Sequence, residues 1–526
     1  MKPQSQTGIR LDPAHPVAAA EASGLRLWVG FVAMSIGMFM AVLDIQIVAS
    51  SLPEIQAALQ IPLDRLGWVQ TAYLSAEIVA IPLTGWITRA LSTRGAFVVC
   101  VLGFTAASAV CAGSGDFWWL IPARVVQGFF GGFLIPLVFS TVFLMFADGP
   151  ARVRATMIAG VMAMLAPTLG PTVGGFVTDH YSWHWLFLIN VPAGIVVAGL
   201  VAWAVSIDRT AERGPGGIDL AAAPLLAVFL AGFQVVLSEA PAQGWASPAM
   251  LALMALCLGS GALTVRRCLA HKAPLVQLTA FRQRNFALGC GLNFVLGAGL
   301  YGATYLLPLF LGVVRHHDPL EIGLIMMVTG AAQLIAAPVA TLLERRSDPR
   351  LLTACGYALL AIGLIGNGFL DPADDFWALA WQQAVRGIAF MFCLLPTTSL
   401  ALGAFPPGAV ANASGLFNLM RNLGGAIALA AIDTLIQQRA PLHVAALVAR
   451  LQAGDRATAQ FVGLPIDQFT GQPLGPVDQA TRDLVAPLVE QAGLTLVLNE
   501  AWLLLGILVL ISLAAAPFLR RQQPYN

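Results

Sequence analysis

GWVQTAYLSAEIVAIPLTGWITRALSTR, residues 67–94, decides the fold when it is set beside GLIMMVTGAAQLIAAPVATLLERRSDPR, residues 323–350. Each stretch is apolar over about the length of a bilayer-crossing helix and ends in arginines. Gly67 and Gly323, Glu77 and Gln333, Pro82 and Pro338, Arg89 and Arg345, and Arg94 and Arg350 all stand 256 residues apart. Nearby offsets recur: Leu52-Pro53 with Leu307-Pro308 (255), Gly128 with Gly387 (259) and Gly160 with Gly415 (255). The matches fall at equivalent helix ends, so the chain reads as a duplicated half. Repeats of this kind characterise membrane carriers that rock one half against the other, and a purely structural membrane protein has no need of them.

Working outward, the composition agrees with that reading. Charged residues make up 10% of the 526, against about a quarter in soluble proteins, and 58% are hydrophobic. Mean hydropathy is +0.78. With 28 basic and 27 acidic residues there is little charge to solvate a surface, and a net charge of +1 offers no basic face for nucleic acid. Runs long enough to span a bilayer fall near 27–51, 67–88, 96–114, 118–146, 155–178, 185–206, 218–239, 248–265, 286–313, 320–343, 351–370, 375–402, 409–435 and 499–519. These fourteen runs predict an all-α integral membrane protein with two six-helix inverted-repeat bundles and two helices inserted between them. The expected divisions are a tail (1–25), a first bundle (26–207), the inserted pair (208–272), a second bundle (273–519) and a closing tail (520–526). The second bundle carries a polar outer loop at 436–498, with helical stretches such as Leu442 through Leu451.

The positive-inside rule orients these runs. With the N-terminus inside, inner segments hold Lys2, Arg10, Arg26, Arg89, Arg94, Arg152, Arg154, Arg209, Arg213, Arg266, Arg267, Lys272, Arg282, Arg284, Arg345, Arg346, Arg350, Arg520 and Arg521. Outer segments hold Arg65, Arg315, Arg439, Arg450, Arg456 and Arg482. Nineteen against six places both termini in the cytoplasm and the protein, multi-pass, in the cell's inner membrane. The first apolar run is too long for a cleaved signal peptide. Seven cysteines (Cys100, Cys111, Cys257, Cys268, Cys290, Cys355 and Cys393) sit singly in or beside apolar runs, which argues against disulfides and zinc. The seven histidines show no HExxH or other metal-ligand spacing, so neither a metal nor an enzyme's catalytic constellation is expected.

Several motifs carry a family resemblance. Ala166-Pro167-Thr168-Leu169-Gly170-Pro171-Thr172-Val173-Gly174-Gly175 in the fifth run is similar to the GxxxGPxxGG antiporter motif. Leu43-Asp44-Ile45-Gln46-Ile47-Val48, leading to Leu52-Pro53, is similar to LDxTIV…LP, and Arg124-Val125-Val126-Gln127-Gly128 to RxxQG. Leu237-Ser238-Glu239 with Gly244-Trp245 closes the seventh run in the usual manner of the branch, and Phe281-Arg282-Gln283-Arg284-Asn285-Phe286 matches its linker into the second half. Over residues 26–435 and 499–519 the chain thus resembles the fourteen-helix drug:proton antiporter branch of the major facilitator superfamily, EmrB/QacA type. The resemblance implies export of small hydrophobic drugs or toxic compounds, driven by the proton gradient and without a cofactor. It also implies a periplasmic adaptor protein and an outer-membrane channel as partners of the 436–498 loop. One departure stands out: Arg89 occupies the place of the Asp in the family's GxLxDRxGR loop, although Arg89 and Arg94 keep its basic character. The same fold carrying a specific metabolite, inward or outward, is the competing reading.

Charges within the runs are expensive and so mark function by default. At 1.5 Å per residue, Asp44 lies about 27 Å along from Arg26, and Arg124 about 8 Å inward from Trp119. They share a depth in the outer half, so an ion pair or a proton-dependent exchange is expected, with Asp44 as the principal coupling carboxylate. The alternative for Asp44 is a helix-locking role, in which its oxygens accept fixed hydrogen bonds. Glu77 sits about 15 Å into its helix, near the midplane, where its repeat partner Gln333 is neutral, and joins Asp44 and Arg124 as a proton-coupling candidate. Gly170, Pro171, Gly174 and Gly175 are expected to form a gating bend, because small residues let helices approach and proline removes a backbone bond; Arg89 and Arg94 join them as conformational residues. Met40, Tyr73, Gln127, Phe133, Asn293, Tyr301 and Tyr305 are the cavity-lining candidates. Arg386 and Arg421 are expected to be functional or paired to carbonyls, and Asp433 to be solvated at the outer edge.

Overall fold

The computed structural model describes residues 24–146, 149–206, 219, 221–271, 274–465 and 479–520. Most of the expected tails, with Lys2, Arg10, Arg209, Arg213, Lys272 and Arg521, lie outside them. The first bundle contains α1 (Gly24–Ser50), the short α2 (Leu52–Leu59) and α3 (Leu63–Leu66), α4 (Trp68–Ala80) and α5 (Thr84–Ala112). It continues with α6 (Phe117–Gly131), α7 (Leu134–Met145), α8 (Pro150–His180), α9 (His184–Leu188) and α10 (Asn190–Ala204). The inserted pair is α11 (Ala222–Gln243) and α12 (Pro248–Ala270). The second bundle contains α13 (Arg284–Leu309), α14 (Pro319–Arg346), α15 (Pro349–Gly366), α16 (Phe376–Leu402), α17 (Pro407–Gln452), α18 (Arg456–Val462) and α19 (Gln479–Ser512).

Thirteen helical segments among the described residues are long and apolar enough to cross a membrane. Each of the fourteen expected runs overlaps one of these thirteen, with 67–88 and 96–114 both overlapping one 45-residue segment, Trp68–Ala112. That segment turns back on itself at Ser92, whose φ of 66° and ψ of 167° interrupt the helix. Its Oγ accepts a hydrogen bond from the Gly95 N–H at 3.2 Å and steadies the turn. The fifth run is one helix, Pro150–His180, assigned without interruption through Gly170, Gly174 and Gly175.

The ends of the bundles define two faces. On the near face, Arg26 donates to the Trp203 carbonyl at 2.5 Å, Asn285 and Arg520 exchange hydrogen bonds at 2.8 Å, and Arg350 reaches the Leu519 carbonyl. On the far face, Arg315 pairs with Asp375 at 3.0 Å and Asn499 bridges to Leu370. The outer segment 436–498, expected as a polar loop with helical stretches such as Leu442 through Leu451, is more helical than that: α17 runs past 435 to Gln452, taking in that stretch, and α19 begins at Gln479, before 499. Both leave the far face as helices. Leu447, Leu451, Ala459, Val462, Val489 and Ala492 form a small core of their own between them. Composition hid this, because the helices continue where their surface turns polar.

The duplicated sequence is a duplicated contact. A methyl group added at Gly128 would lie 2.2 Å from the Tyr73 carbonyl oxygen, and one at Gly387 would lie 2.3 Å from that of Thr329. Likewise Gly170 is pressed against Gln46 (2.1 Å) and Gly425 against Tyr301 (2.3 Å). Tyr73 and Thr329 stand 256 residues apart; Gln46 and Tyr301, like Gly170 and Gly425, stand 255 apart. Each bundle is therefore drawn together at the same two bare-backbone seats, the close approach that small residues permit in membranes.

The halves meet along two lines. At α8 and α14, Gly323 lies against Thr172 and Gly330 against Leu165 and Thr168. Towards the near face, Gly415 lies against the Ile81 carbonyl, Gly85 against Asn412, and the Ser414 hydroxyl donates to the Pro136 carbonyl at 2.9 Å. The inserted pair sits beside this seam: Thr71 on α4 donates to the Ser238 hydroxyl at 3.2 Å, and Trp245 to Thr434 at 2.9 Å.

Candidate functional site

Two buried carboxylates mark the interior, and they differ in surroundings. Asp44, fully buried on α1, is enclosed within the first bundle. Its Oδ2 accepts from Arg124 Nη1 at 2.6 Å. Its Oδ1 accepts from Gln127 Nε2 at 2.9 Å and from Asn190 Nδ2 at 2.7 Å. Arg124, also fully buried, donates through Nε to the Val69 carbonyl at 3.1 Å and through Nη1 to Gln127 Oε1 at 2.6 Å. Its guanidinium lies 4.5 Å from the centre of the Tyr73 ring and 5.6 Å from that of Phe187. Gln127 also donates to Ser108 Oγ at 2.9 Å.

This arrangement follows from the sequence of α6. Gly128 and Gly131 face Tyr73, so α4 and α6 touch through backbone, and Arg124, one turn before Gly128, is delivered to Asp44. The expected shared depth of Asp44 and Arg124 thus becomes direct contact. The geometry has the form of the locking alternative, with the carboxylate held by three donors from two other helices. Removing one partner of such a pair strands a buried charge and costs about 3–5 kcal/mol.

Glu77, 3% exposed on α4, is held loosely by comparison. Its Oε1 accepts one long bond, 3.4 Å, from Asn422 Nδ2 of the second bundle. Asn422 in turn accepts from the Tyr301 hydroxyl at 3.3 Å. No ion pair of Glu77 occurs among the described residues. A cavity of about 40 Å³ adjoins it, lined by Leu74 and Ile78 of the first bundle, Gln234 of the inserted pair, and Tyr301, Asn422 and Leu429 of the second. That is room for two or three waters at roughly 15 Å³ each. A carboxylate facing all three parts of the molecule is sensitive to how they sit together.

The other expected residues divide. Tyr301 lines the Glu77 cavity, and Tyr305 lines a second, larger one. Tyr73 and Gln127 belong to the Asp44 network. Asn293 donates to the Phe417 carbonyl at 2.6 Å, while Met40 and Phe133 are packed in the core; none of these three lines either cavity. Gly170 is a close-packing seat against α1, and Gly174 and Gly175 accept from Thr178 through their carbonyls. Arg89 Nη1 approaches Gly85 beside Asn412, and Arg94 reaches the Val205 carbonyl at 3.5 Å. Arg421 donates to Asn418 at 2.6 Å. Arg386 lies 5.2 Å from the centre of the Trp502 ring, and its Nε and Nη1 have no partner among the described residues. Asn190, Asn422 and Gln234 were not singled out in the sequence. Asn190 and Gln234 are lone amides in apolar runs, and Asn422 stands beside Arg421 and Asn418; each is a weak signal that becomes meaningful only through residues far along the chain.

Two repeated helical bundles, joined by an inserted pair and enclosing one ion-paired carboxylate, Asp44, and one without an ion pair among the described residues, Glu77, have the build of a polytopic membrane carrier. Known proteins say which kind. The chain belongs to the Major Facilitator Superfamily, whose family model matches residues 34–429. It is 38% identical over 418 residues to the colistin resistance protein EmrB of Acinetobacter baumannii, covering 79% of this chain and 81% of that protein. It is 31% identical over 511 residues to the multidrug export protein EmrB of Escherichia coli K12, covering 94% and 96%. Both agree with the EmrB/QacA-type branch that the motifs resemble. The structure of the human organic anion transporter MFSD10 superposes with a TM-score of 0.56 at 14% identity, over 92% of this chain and 99% of that one, and shows the shared fold. The protein is thus a multi-pass membrane protein of a transporter family.

Proposed function

We propose that the chain is a proton-coupled antiporter that exports hydrophobic drugs or toxic compounds across the inner membrane by alternating access, with both termini cytoplasmic. The observation that carries this reading is Glu77: a buried carboxylate with no ion pair among the described residues, beside a cavity walled by both bundles and the inserted pair. A charge in such a place is costly, so a proton or a cationic cargo stabilises it, and the two compete for one site. Rocking of the bundles changes the company Glu77 keeps, which is how proton release and cargo release become alternatives. Asp44, Arg124, Gln127 and Asn190 hold the first bundle rigid while this happens. The stretch of α8 that holds Gly170, Gly174 and Gly175 also carries the Thr172 contact with Gly323 of the second bundle, and with Arg89 and Arg94 near the opposite face it is where the halves move against each other. No cofactor is required: the membrane potential supplies about 2.3 kcal/mol per charge per 100 mV. The helical projection of α17 and α19, supported by its own core, offers a platform for a periplasmic adaptor leading to an outer-membrane channel.

The test is proteoliposome efflux of a lipophilic dye driven by an imposed pH gradient. Glu77→Gln is expected to abolish gradient-driven transport while dye exchange at zero gradient continues. Full gradient-driven efflux by Glu77→Gln, or uptake where extrusion is expected, would overturn the reading.

A further inference from the structure

A second cavity, of about 310 Å³, lies directly beyond the first on the same three helices. Gln234, Tyr301 and Leu429 line the Glu77 cavity; Ser238, Tyr305 and Asp433, each four residues further along α11, α13 and α17, line the larger one. A four-residue step keeps the same helix face and advances about 6 Å. The two cavities therefore stack along one seam leading away from the near-face contacts at Ile81, Gly85 and Pro136. The larger is at the lower end of the roughly 300–1,000 Å³ typical of drug-sized sites, whereas the Glu77 cavity admits only waters in this state.

Its chemistry is specific. Pro241, Leu309, Ile436 and Leu494 supply apolar walls, and Asp433 is the carboxylate among them. Asp433 Oδ1 accepts from the Tyr305 hydroxyl at 2.7 Å, and Asp433 takes part in no ion pair among the described residues. The nearby Arg439 is turned away, with Nε and Nη2 on Glu500 at 3.0 and 2.7 Å. The wall contributed by the inserted pair is fixed, because Trp245 is bonded to Thr434, the residue after Asp433. An unneutralised carboxylate among apolar side chains and a tyrosine ring complements an organic cation with an apolar body, and it repels an anionic lipid headgroup.

Resting on the export reading above, we propose that this cavity is an exit subsite for amphipathic organic cations, with Asp433 and Tyr305 receiving the cationic group and the inserted pair forming the wall. A cargo leaving Glu77 then passes one helical turn to a second carboxylate, instead of losing its counter-charge in one step. Asp433, expected from its position to be merely solvated, becomes the determinant of cation preference.

The test uses the full chain in lipid nanodiscs and equilibrium binding of tetraphenylphosphonium. Asp433→Asn is expected to weaken binding about tenfold, or ~1.4 kcal/mol. Ala242→Trp, at an exposed position on the cavity rim, fills the same space and is expected to weaken it comparably. In a Glu77→Gln background the Asp433→Asn step still costs about tenfold, which separates this subsite from the coupling role of Glu77. A neutral lipophilic dye is expected to lose several-fold less affinity than tetraphenylphosphonium with Asp433→Asn. Unchanged tetraphenylphosphonium binding in either single variant, or an equal loss of affinity for the neutral dye, overturns the proposal.

Discussion

The two bundles carry the same seat with opposite furniture. In the first, Arg124, Gln127 and Gly128 follow one another along α6; in the second, the positions 259 residues on are Gln383, Arg386 and Gly387, with arginine and glutamine exchanged. Both glycines rest on a backbone carbonyl of the neighbouring helix at nearly the same distance. Opposite the first pair stands Asp44; the position 255 residues beyond Asp44 is Gly299, with no side chain to offer. Arg124 is consequently met at Nε and Nη1 by carboxylate, amide and carbonyl, with only Nη2 lacking a partner among the described residues, whereas Arg386 faces the Trp502 ring with both Nε and Nη1 unmet among them. Packing was kept through the duplication while polar chemistry diverged, so shape is shared and charge is local.

That contrast can be broken by mutation. The largest effect is expected for Asp44→Ala, which leaves Arg124 buried without its partner; unfolding in detergent micelles should show a loss of about 3–5 kcal/mol. Gly128→Ala and Gly387→Ala should cost about 1–3 kcal/mol each, and nearly equally, since both methyl groups meet backbone; thermal melts that separate them widely would break the equivalence of the seats. Asn190→Ala removes one of three donors to Asp44 and is expected to cost about 1–2 kcal/mol by the same assay. Arg386→Met, by contrast, discards a charge with no ion pair among the described residues for apolar volume and should change stability by no more than about 1 kcal/mol, or raise it. The smallest effect concerns Asp375 on the far face. The Phe376 N–H, followed by the Arg315 guanidinium, holds its carboxyl below the ordinary range. A depressed carboxyl stabilises the fold above its unfolded pKa of about 3.9 and loses that contribution as pH falls through its lower folded value. Because the pair is exposed, Asp375→Asn should cost under about 1 kcal/mol near pH 7, and the difference should vanish in strong acid.

Much of this was legible in residues alone, for definite reasons. Apolar runs are unmistakable because lipid forbids exposed backbone polarity, and the Arg124–Asp44 contact followed from depth, since helical rise converts numbering into position. What escaped was whatever depends on a partner far along the chain. Glu77 meets Asn422, 345 residues away, and nothing local to either announces it. Asn190 looks like an isolated amide until the first bundle closes. The seam carrying Asp433 exists only because the inserted pair lies beside α17, a placement that the length of a linker does not determine. The continuation of α17 was half visible: Val444, Leu447 and Leu451 keep a helical spacing, but the polar residues around them read as loop.

That continuation has a mechanical consequence. From Asn422, beside Glu77, to Gln452 at the end of α17 is 30 residues of helix, about 45 Å. A rigid rod of that length pivoting by about 10° would sweep its tip through about 8 Å, and Pro441, which removes one bond of the ladder, is the point along α17 where part of that motion is absorbed. The core shared with α19 makes the pair act as one beam. The amide that touches Glu77 and the end of the projecting helix thus belong to one element, so a displacement at the first would be carried along α17 towards the second.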